Sequence, residues 1–292
     1  MIQDTVTSRD GTTIAYERSG TGPALVIVAS ALSDRSDTKR LAALLSDGFT
    51  VINYDRRGRG RSTNTEPYAV EREIEDLGAL IQAAGGSASV FGSSSGAVLA
   101  LRAAASGLPI TRLALFEPPF RIGAEGSVPP TRLEAEIRDL LATGRRSDAV
   151  KRFMSVEMGV PGIGFVFMRL WPGLWKSMTA MAPTILHDLA VMDGTTGGGP
   201  LPAEWAQVTT PTLVMDGGKS EERLRSAAAV LAELLPNAQH RTLEGQDHAA
   251  PVMNPKAVAP IVADFLDQAG GAAARHRSST HTTEVPDVTV SR

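Results

Sequence analysis

The 292-residue sequence predicts an α/β fold: a mostly parallel eight-stranded sheet flanked by helices, with a helical segment inserted after the sixth strand. Three observations point there. Short, fully apolar runs of strand length alternate with stretches of helical period, the rhythm of parallel strands joined by crossover helices. Glycine-rich turn signals mark the boundaries between them. The alternation then stops between about residues 118 and 208 and resumes afterwards, a gap far longer than an ordinary loop.

In chain order, residues 5–8 and 12–16 flank Asp10-Gly11, a hairpin signal. Residues 24–28 are apolar throughout, as expected of a strand covered on both faces. Leu41, Leu44 and Leu45 give 37–45 a helical face, and 49–54 reads as the next buried strand. Ile74, Leu77, Leu80 and Ile81 line one face of a helix over 71–84, which ends at Gly85-Gly86. A strand over 88–91, a small-residue helix over 97–106 and a strand over 113–116 complete the first part. Helices are expected at 133–141 and 148–158, followed by a stretch over 165–192 broken by Gly and Pro and rich in Trp and Met. Strands at 212–216 and 239–242 alternate with helices at 222–235 and 255–266. The resulting division is a core of residues 1–117 and 209–268, a helical insertion over 118–208, and a tail over 269–292 that is poor in large apolar residues and is expected to be disordered.

Composition removes several function classes. With 42% apolar and 21% charged residues the chain is an ordinary globular one. A net charge of -3 lacks the basic excess of a nucleic-acid binder. The absence of cysteine excludes disulfides, thiolate metal sites and a catalytic thiol. The N-terminal residues lack a basic head followed by an apolar stretch, and no apolar run approaches the ~20 residues of a membrane span. The expected location is the cytoplasm.

Chemistry concentrates at Gly92-Ser93-Ser94-Ser95-Gly96, a G-x-S-x-G between a strand and a helix. A serine on so tight a turn has a strained backbone, only small neighbours let the turn close, and its hydroxyl projects above the sheet. The amide of Ser95 lies at the helix N-terminus, where it suits a developing oxyanion. Upstream, Asp55-Arg56-Arg57-Gly58-Arg59-Gly60-Arg61-Ser62 follows the fourth strand. On their own its four arginines can be read as a phosphate patch.

These motifs, in this order and followed by a long helical insertion and a late histidine, resemble the α/β-hydrolase superfamily in its lid-bearing serine-hydrolase form. The resemblance covers the chain to about residue 268, and with no basic excess elsewhere in the chain it implies that the arginine-rich residues 55–62 form a structured turn instead. It implies Ser94 as nucleophile and His248, in the polar loop 244–248 after the last strand, as base, since the superfamily order is nucleophile, acid, histidine. The acid is open. Where the family usually has Gly-x-x-Asp, this chain has Gly217-Gly218-Lys219-Ser220. Glu117, at the end of the sixth strand, ranks first and Asp216 second. A Ser94–His248 dyad ranks third, and Glu221 and Glu222 are natural helix-start acids. In place of the family's His-Gly after the third strand stand Ala29-Ser30, so the second oxyanion amide is expected from Ala31, with Leu32 as fallback. The insertion carries six of the nine Met and all three Trp, an adaptable apolar underside for a lid. Met168, Trp171, Trp175 and Met181 are the expected pocket wall, and Leu32 is expected to contact the substrate with them.

The implied activity is hydrolysis of an ester, thioester or lactone of an apolar small molecule through an acyl-enzyme, without metal or organic cofactor. The alternatives are other serine-dependent chemistry on this fold (carbon–carbon bond hydrolysis, acyl transfer, perhydrolysis) or a non-catalytic small-ligand receptor.

Overall fold

The structure is a computed structural model that describes residues 2–123, 130–168 and 170–278, with side chains described as far as residue 267. The described residues form β1 (Ile2–Thr7), β2 (Thr13–Ser19), β3 (Ala24–Val28), α1 (Arg35–Leu45), β4 (Thr50–Tyr54), α2 (Val70–Ala83), β5 (Ala88–Ser93), α3 (Ser95–Ala105) and β6 (Ile110–Phe116). Helices α4 (Pro130–Ala142), α5 (Arg146–Glu157), α6 (Gly162–Met168), α7 (Pro172–Ala180) and α8 (Ile185–Val191) follow. The sheet then resumes with β7 (Thr212–Gly217), α9 (Glu222–Leu234), β8 (Ala238–Leu243), α10 (Ala250–Met253) and α11 (Pro255–Ser278).

The eight strands make one sheet in the order β1-β2-β4-β3-β5-β6-β7-β8. The first hairpin is antiparallel, β2 pairs antiparallel with β4, and every pairing from β4 through β8 is parallel. Each strand expected from the sequence is present, most of them longer by a few residues. The hairpin closes as expected over Asp10-Gly11, with the Ser8 amide bonded to the Thr12 carbonyl and Gly11 at φ 85°. The stretch over 165–192, which had no assigned elements, holds most of α6, then α7 and α8. The last helix continues past residue 266 to Ser278, and residues 279–292 of the expected tail lie outside the described residues.

Strand side chains alternate between two cores. Val26, Val28, Ile52, Val90, Leu113, Leu115 and Val214 face α2, α3 and α9 on one side of the sheet. Leu25, Ile27, Val51, Phe91, Ala114, Phe116, Leu213 and Met215 face α1 and α11 on the other. The inserted helices join the first of these cores through Phe153, Met154, Met181, Ile185 and Val191, so the insertion packs continuously with the α2/α3 layer. Central strands β4 and β5 are buried along their whole length, while the edge strands β1 and β8 are largely exposed. The carboxyl ends of β5, β6 and β7 therefore open from the best-packed part of the molecule, where an α/β sheet typically carries its site. No helix among the described residues is long and apolar enough to cross a membrane.

Candidate active site

Ser94 sits between β5 and α3 at φ 53°, ψ -125°. This left-handed turn reverses the chain so sharply that Gly92 and Gly96, two residues away on either side, have no room for side chains. A Cβ on Gly92 would lie 2.5 Å from the Gly96 carbonyl oxygen, and one on Gly96 would lie 2.5 Å from that of Val28. The Ser94 amide continues the sheet ladder by donating to the Phe116 carbonyl at 2.9 Å, and the Glu117 amide does the same to Met215 at 2.9 Å. Both residues are thus registered by the strands rather than by loops. Three non-glycine residues adopt positive φ among the described residues: Leu32 (54°), Ser94 (53°) and Glu117 (45°). All three are positions singled out in the sequence, and strain of this kind persists only where the surroundings impose it.

The Glu117 carboxylate is fully buried. Its Oε1 accepts the Gly217 amide at 2.6 Å and its Oε2 lies 2.6 Å from His248 Nδ1. Gly217 has a further part, which sequence reasoning missed. A Cβ there would meet the Gln246 carbonyl oxygen at 2.5 Å, so glycine lets the histidine-bearing loop close against the end of β7. The Lys219 amide, donating to the same Gln246 carbonyl at 2.8 Å, fastens that loop. The doubled glycine at the end of β7, Gly217-Gly218, was the available signal.

Asp216 is buried at the same sheet edge but does not meet His248. Its Oδ2 is 2.5 Å from His240 Nε2 and accepts the Thr242 hydroxyl at 3.2 Å. The expectation of Asp216 as partner of the base is corrected on a simple ground. Asp216 is the cross-strand partner of Thr242, two residues from His240 on β8, and β8 takes up its carboxylate. Ser220, in the position where an acid was sought, has a buried hydroxyl without a partner among the described residues.

The Ser95 amide belongs to the first turn of α3, where backbone donors have no intrahelical acceptor. Neither the Ala31 nor the Leu32 amide donates to another described residue. The Ser94 hydroxyl likewise makes no hydrogen bond among the described residues. Next to Ser95 lies a buried cluster of charges. Arg56 makes a paired contact with Glu73 (2.8 and 2.9 Å) and reaches Asp188 of α8 at 2.8 Å. Arg59 grips Asp188 at 2.7 and 2.8 Å, and the Ser95 hydroxyl donates to Asp188 at 2.8 Å. Arg57 instead pairs with Asp76 and Asp10. All three guanidiniums are buried and internally paired, so the arginine-rich segment is a structured turn. Burial opposes the charge on Arg56, but Glu73 and Asp188 outweigh it and hold the cation above its ordinary range. Burial likewise works against ionised Glu73, yet Arg56 brings its pKa down to about 2. His187, stacked face to face on Tyr68 at 3.8 Å, is pushed down to about 4 by burial.

Of the expected pocket wall, Met181 is buried in the core, and Met168 and Trp175 are half-buried against it. Trp175 meets Phe165 edge-on at 6.3 Å. Trp171 is a correction: it is 65% exposed. Pro172 opens a new helix just after it, and the break turns the indole outward beside exposed Leu170 and Leu174.

The profile of the alpha/beta hydrolase family matches residues 25–261. The chain belongs to the alpha/beta hydrolase family. An alpha/beta hydrolase from Sphaerobacter thermophilus, known from its crystal structure, is 51% identical, with 90% of this chain and 100% of that one covered and a TM-score of 0.83. A 2-(acetamidomethylene)succinate hydrolase from Mesorhizobium japonicum is 25% identical over 262 residues, covering 87% of this chain and 92% of that protein. An uncharacterized hydrolase of Bacillus subtilis, YraK, is 38% identical over 95 residues; the match spans 31% of this chain and only 35% of that protein. In this alpha/beta hydrolase the eight-stranded sheet and the helices following β6 agree with the expectation drawn from the sequence.

Proposed function

We propose that this alpha/beta hydrolase is a serine hydrolase that cleaves an ester, thioester or lactone of an apolar small molecule through an acyl-enzyme. The observation that carries the reading is the 2.6 Å contact of His248 Nδ1 with buried Glu117, at the sheet edge where Ser94 caps α3. With Nδ1 held by the carboxylate, the imidazole keeps Nε2 for the serine proton. Ser94 Oγ attacks the carbonyl carbon, its proton passes to His248 Nε2, and the carbonyl oxygen becomes an oxyanion facing the Ser95 and Ala31 amides. Collapse breaks the bond to the leaving group, which takes the proton from His248. Water, deprotonated by the same histidine, then attacks the acyl-enzyme and frees Ser94. Glu117 stabilises the imidazolium as it forms. Each oxyanion donor of this kind contributes about 3–4 kcal/mol to the barrier reduction.

The apolar substrate preference rests on the inserted helices, read here as the lid. Half-buried Met168 and Trp175 sit on the lid's own core of Phe165, Met178 and Met181, an adaptable apolar surface. The test is covalent labelling with a fluorophosphonate followed by intact-mass measurement. One adduct is expected on the wild type and none on Ser94→Ala. An unlabelled wild type, or an adduct that persists in the variant, refutes the reading.

A further inference from the structure

The buried hydrogen bonds around Asp188 cross three parts of the chain that are far apart in sequence. Asp188 comes from α8, within the insertion, and is fully buried. Its Oδ1 accepts from Arg56, Arg59 and Ser95, and its Oδ2 from Arg59. The same two arginines also reach the loop after β3. Arg59 Nη1 donates to the Ser30 and Ser33 carbonyls at 2.6 and 3.1 Å, and Arg56 Nη1 reaches the Ala29 carbonyl at 3.4 Å. That loop holds Ala31 and Leu32. Ser95 is the residue directly after the nucleophile. One carboxylate from the insertion therefore fastens, directly or through a single guanidinium, both backbone segments that face a developing oxyanion.

We propose that Asp188 is a positioning residue for the oxyanion-binding amides, holding Ser95 and the 29–33 loop in mutual register from the lid. The proposal rests on the serine-hydrolase reading of the site. Charge accounts for why an acid serves here. Arg56 and Arg59 bring two buried cations, Glu73 answers one, and Asp188 answers the other. A buried carboxylate with four good acceptor contacts is rigid in a way that an exposed one is not. Rigidity matters because a donor displaced by ~1 Å loses most of its effect on a tetrahedral intermediate. The Ser95 hydroxyl has no place in the proton transfers; its contact with Asp188 locks the first turn of α3 while its amide stays available.

The test compares wild type, Asp188→Asn and Ser95→Ala. Ser95→Ala keeps the amide and removes the hydroxyl's links to Asp188 and, at 3.2 Å, to Arg56. The readouts are fluorophosphonate labelling, kcat and KM for p-nitrophenyl butyrate, and inhibition by a trifluoromethyl ketone that forms a tetrahedral adduct with the serine. Both variants are expected to lower kcat roughly tenfold to a hundredfold. KM should stay near the wild-type value, and affinity for the trifluoromethyl ketone should fall in step with kcat. A lost salt bridge that matters only for folding would instead lower Tm and leave the kcat of folded enzyme and ketone affinity untouched, and that result overturns the proposal. Should Asp188→Asn fail to fold, Ser95→Ala decides alone by the same criteria. A wild type that labels at Ser94, with variants at full kcat, overturns this inference and spares the serine-hydrolase reading. A wild type that does not label overturns both.

Discussion

His248 Nδ1 lies 2.6 Å from Oε2 of Glu117, a residue at the end of the sixth strand whose backbone is held at φ 45°. Asp216, at the end of the seventh strand, is occupied instead by His240. Two buried carboxylates at neighbouring strand ends thus have separate histidines, and only one of those histidines lies in the loop that follows the last strand.

Glu117→Gln is expected to lower kcat by ~10³–10⁴, because an amide cannot stabilise the imidazolium or impose its tautomer. Asp216→Asn should leave turnover in the wild-type range. Steady-state kinetics on an activated ester, measured for both variants, checks the assignment; the reverse pattern would move the acid to Asp216.

Gly96→Ala should destabilise the fold and damage the site together. The added methyl would meet two carbonyl oxygens, at 2.5 Å (Val28) and 2.6 Å (Ala29), and backbone cannot swing aside as a side chain can. Overpacking of this kind costs about 1–3 kcal/mol. Denaturant unfolding should show the loss, and the kcat of the folded fraction should fall because α3 and the 29–33 loop are pushed apart.

Arg57→Met separates stability from activity. Arg57 neutralises Asp76 and Asp10, and none of its partners belongs to the elbow, the 29–33 loop or α8. Leaving Asp76 buried without its cation should cost roughly 3–5 kcal/mol. A lower urea midpoint with unchanged kcat per folded molecule is the expected result.

Acid should destabilise the protein in two steps. The His187 ring is held neutral down to about pH 4 by burial, against the pull of Glu73 and Asp188 and with the help of Arg59 and Arg56. Between pH 6.5 and 4 the unfolded chain takes up a proton that the folded one refuses, so stability falls with pH by roughly 3 kcal/mol. Glu73, lowered from 4.5 to about 2 despite its burial, contributes stability that is present above pH 4.5 and lost as pH falls through 2. In His187→Phe, which retains a ring to stack on Tyr68, the first decline should vanish and the second remain. Unfolding free energies measured from pH 7 to 3 would show whether it does.

Much of this architecture is legible in the sequence because its signals are local. Apolar runs such as 24–28 announce central strands, and Gly92 and Gly96 announce a turn that tolerates no Cβ. His248 is conspicuous in a polar loop. The acid is harder, since Glu117 and Asp216 both end strands and differ only in which histidine a neighbouring strand or loop delivers. Asp188 is out of reach altogether. Its partners lie 93 to 132 residues away, and on a short helix flanked by Ile185 and Val191 it looks like a surface acid. The one hint was arithmetic: Arg56 and Arg59 in a buried turn require carboxylates from elsewhere. Trp171 misled for the opposite reason, because composition counts an aromatic without revealing which way a helix break turns it.

The positive φ of Leu32, Ser94 and Glu117 has a consequence for laboratory evolution. Each such residue holds about 1–3 kcal/mol of backbone strain that a glycine would release. A library screened for heat resistance alone should therefore accumulate glycine at Ser94, whose hydroxyl makes no hydrogen bond among the described residues, and return sturdier proteins with no turnover. At Leu32 and Glu117 the buried side chain is worth more than the strain it carries. Thermostable variants that still hydrolyse substrate will be found only when survival and catalysis are selected at once.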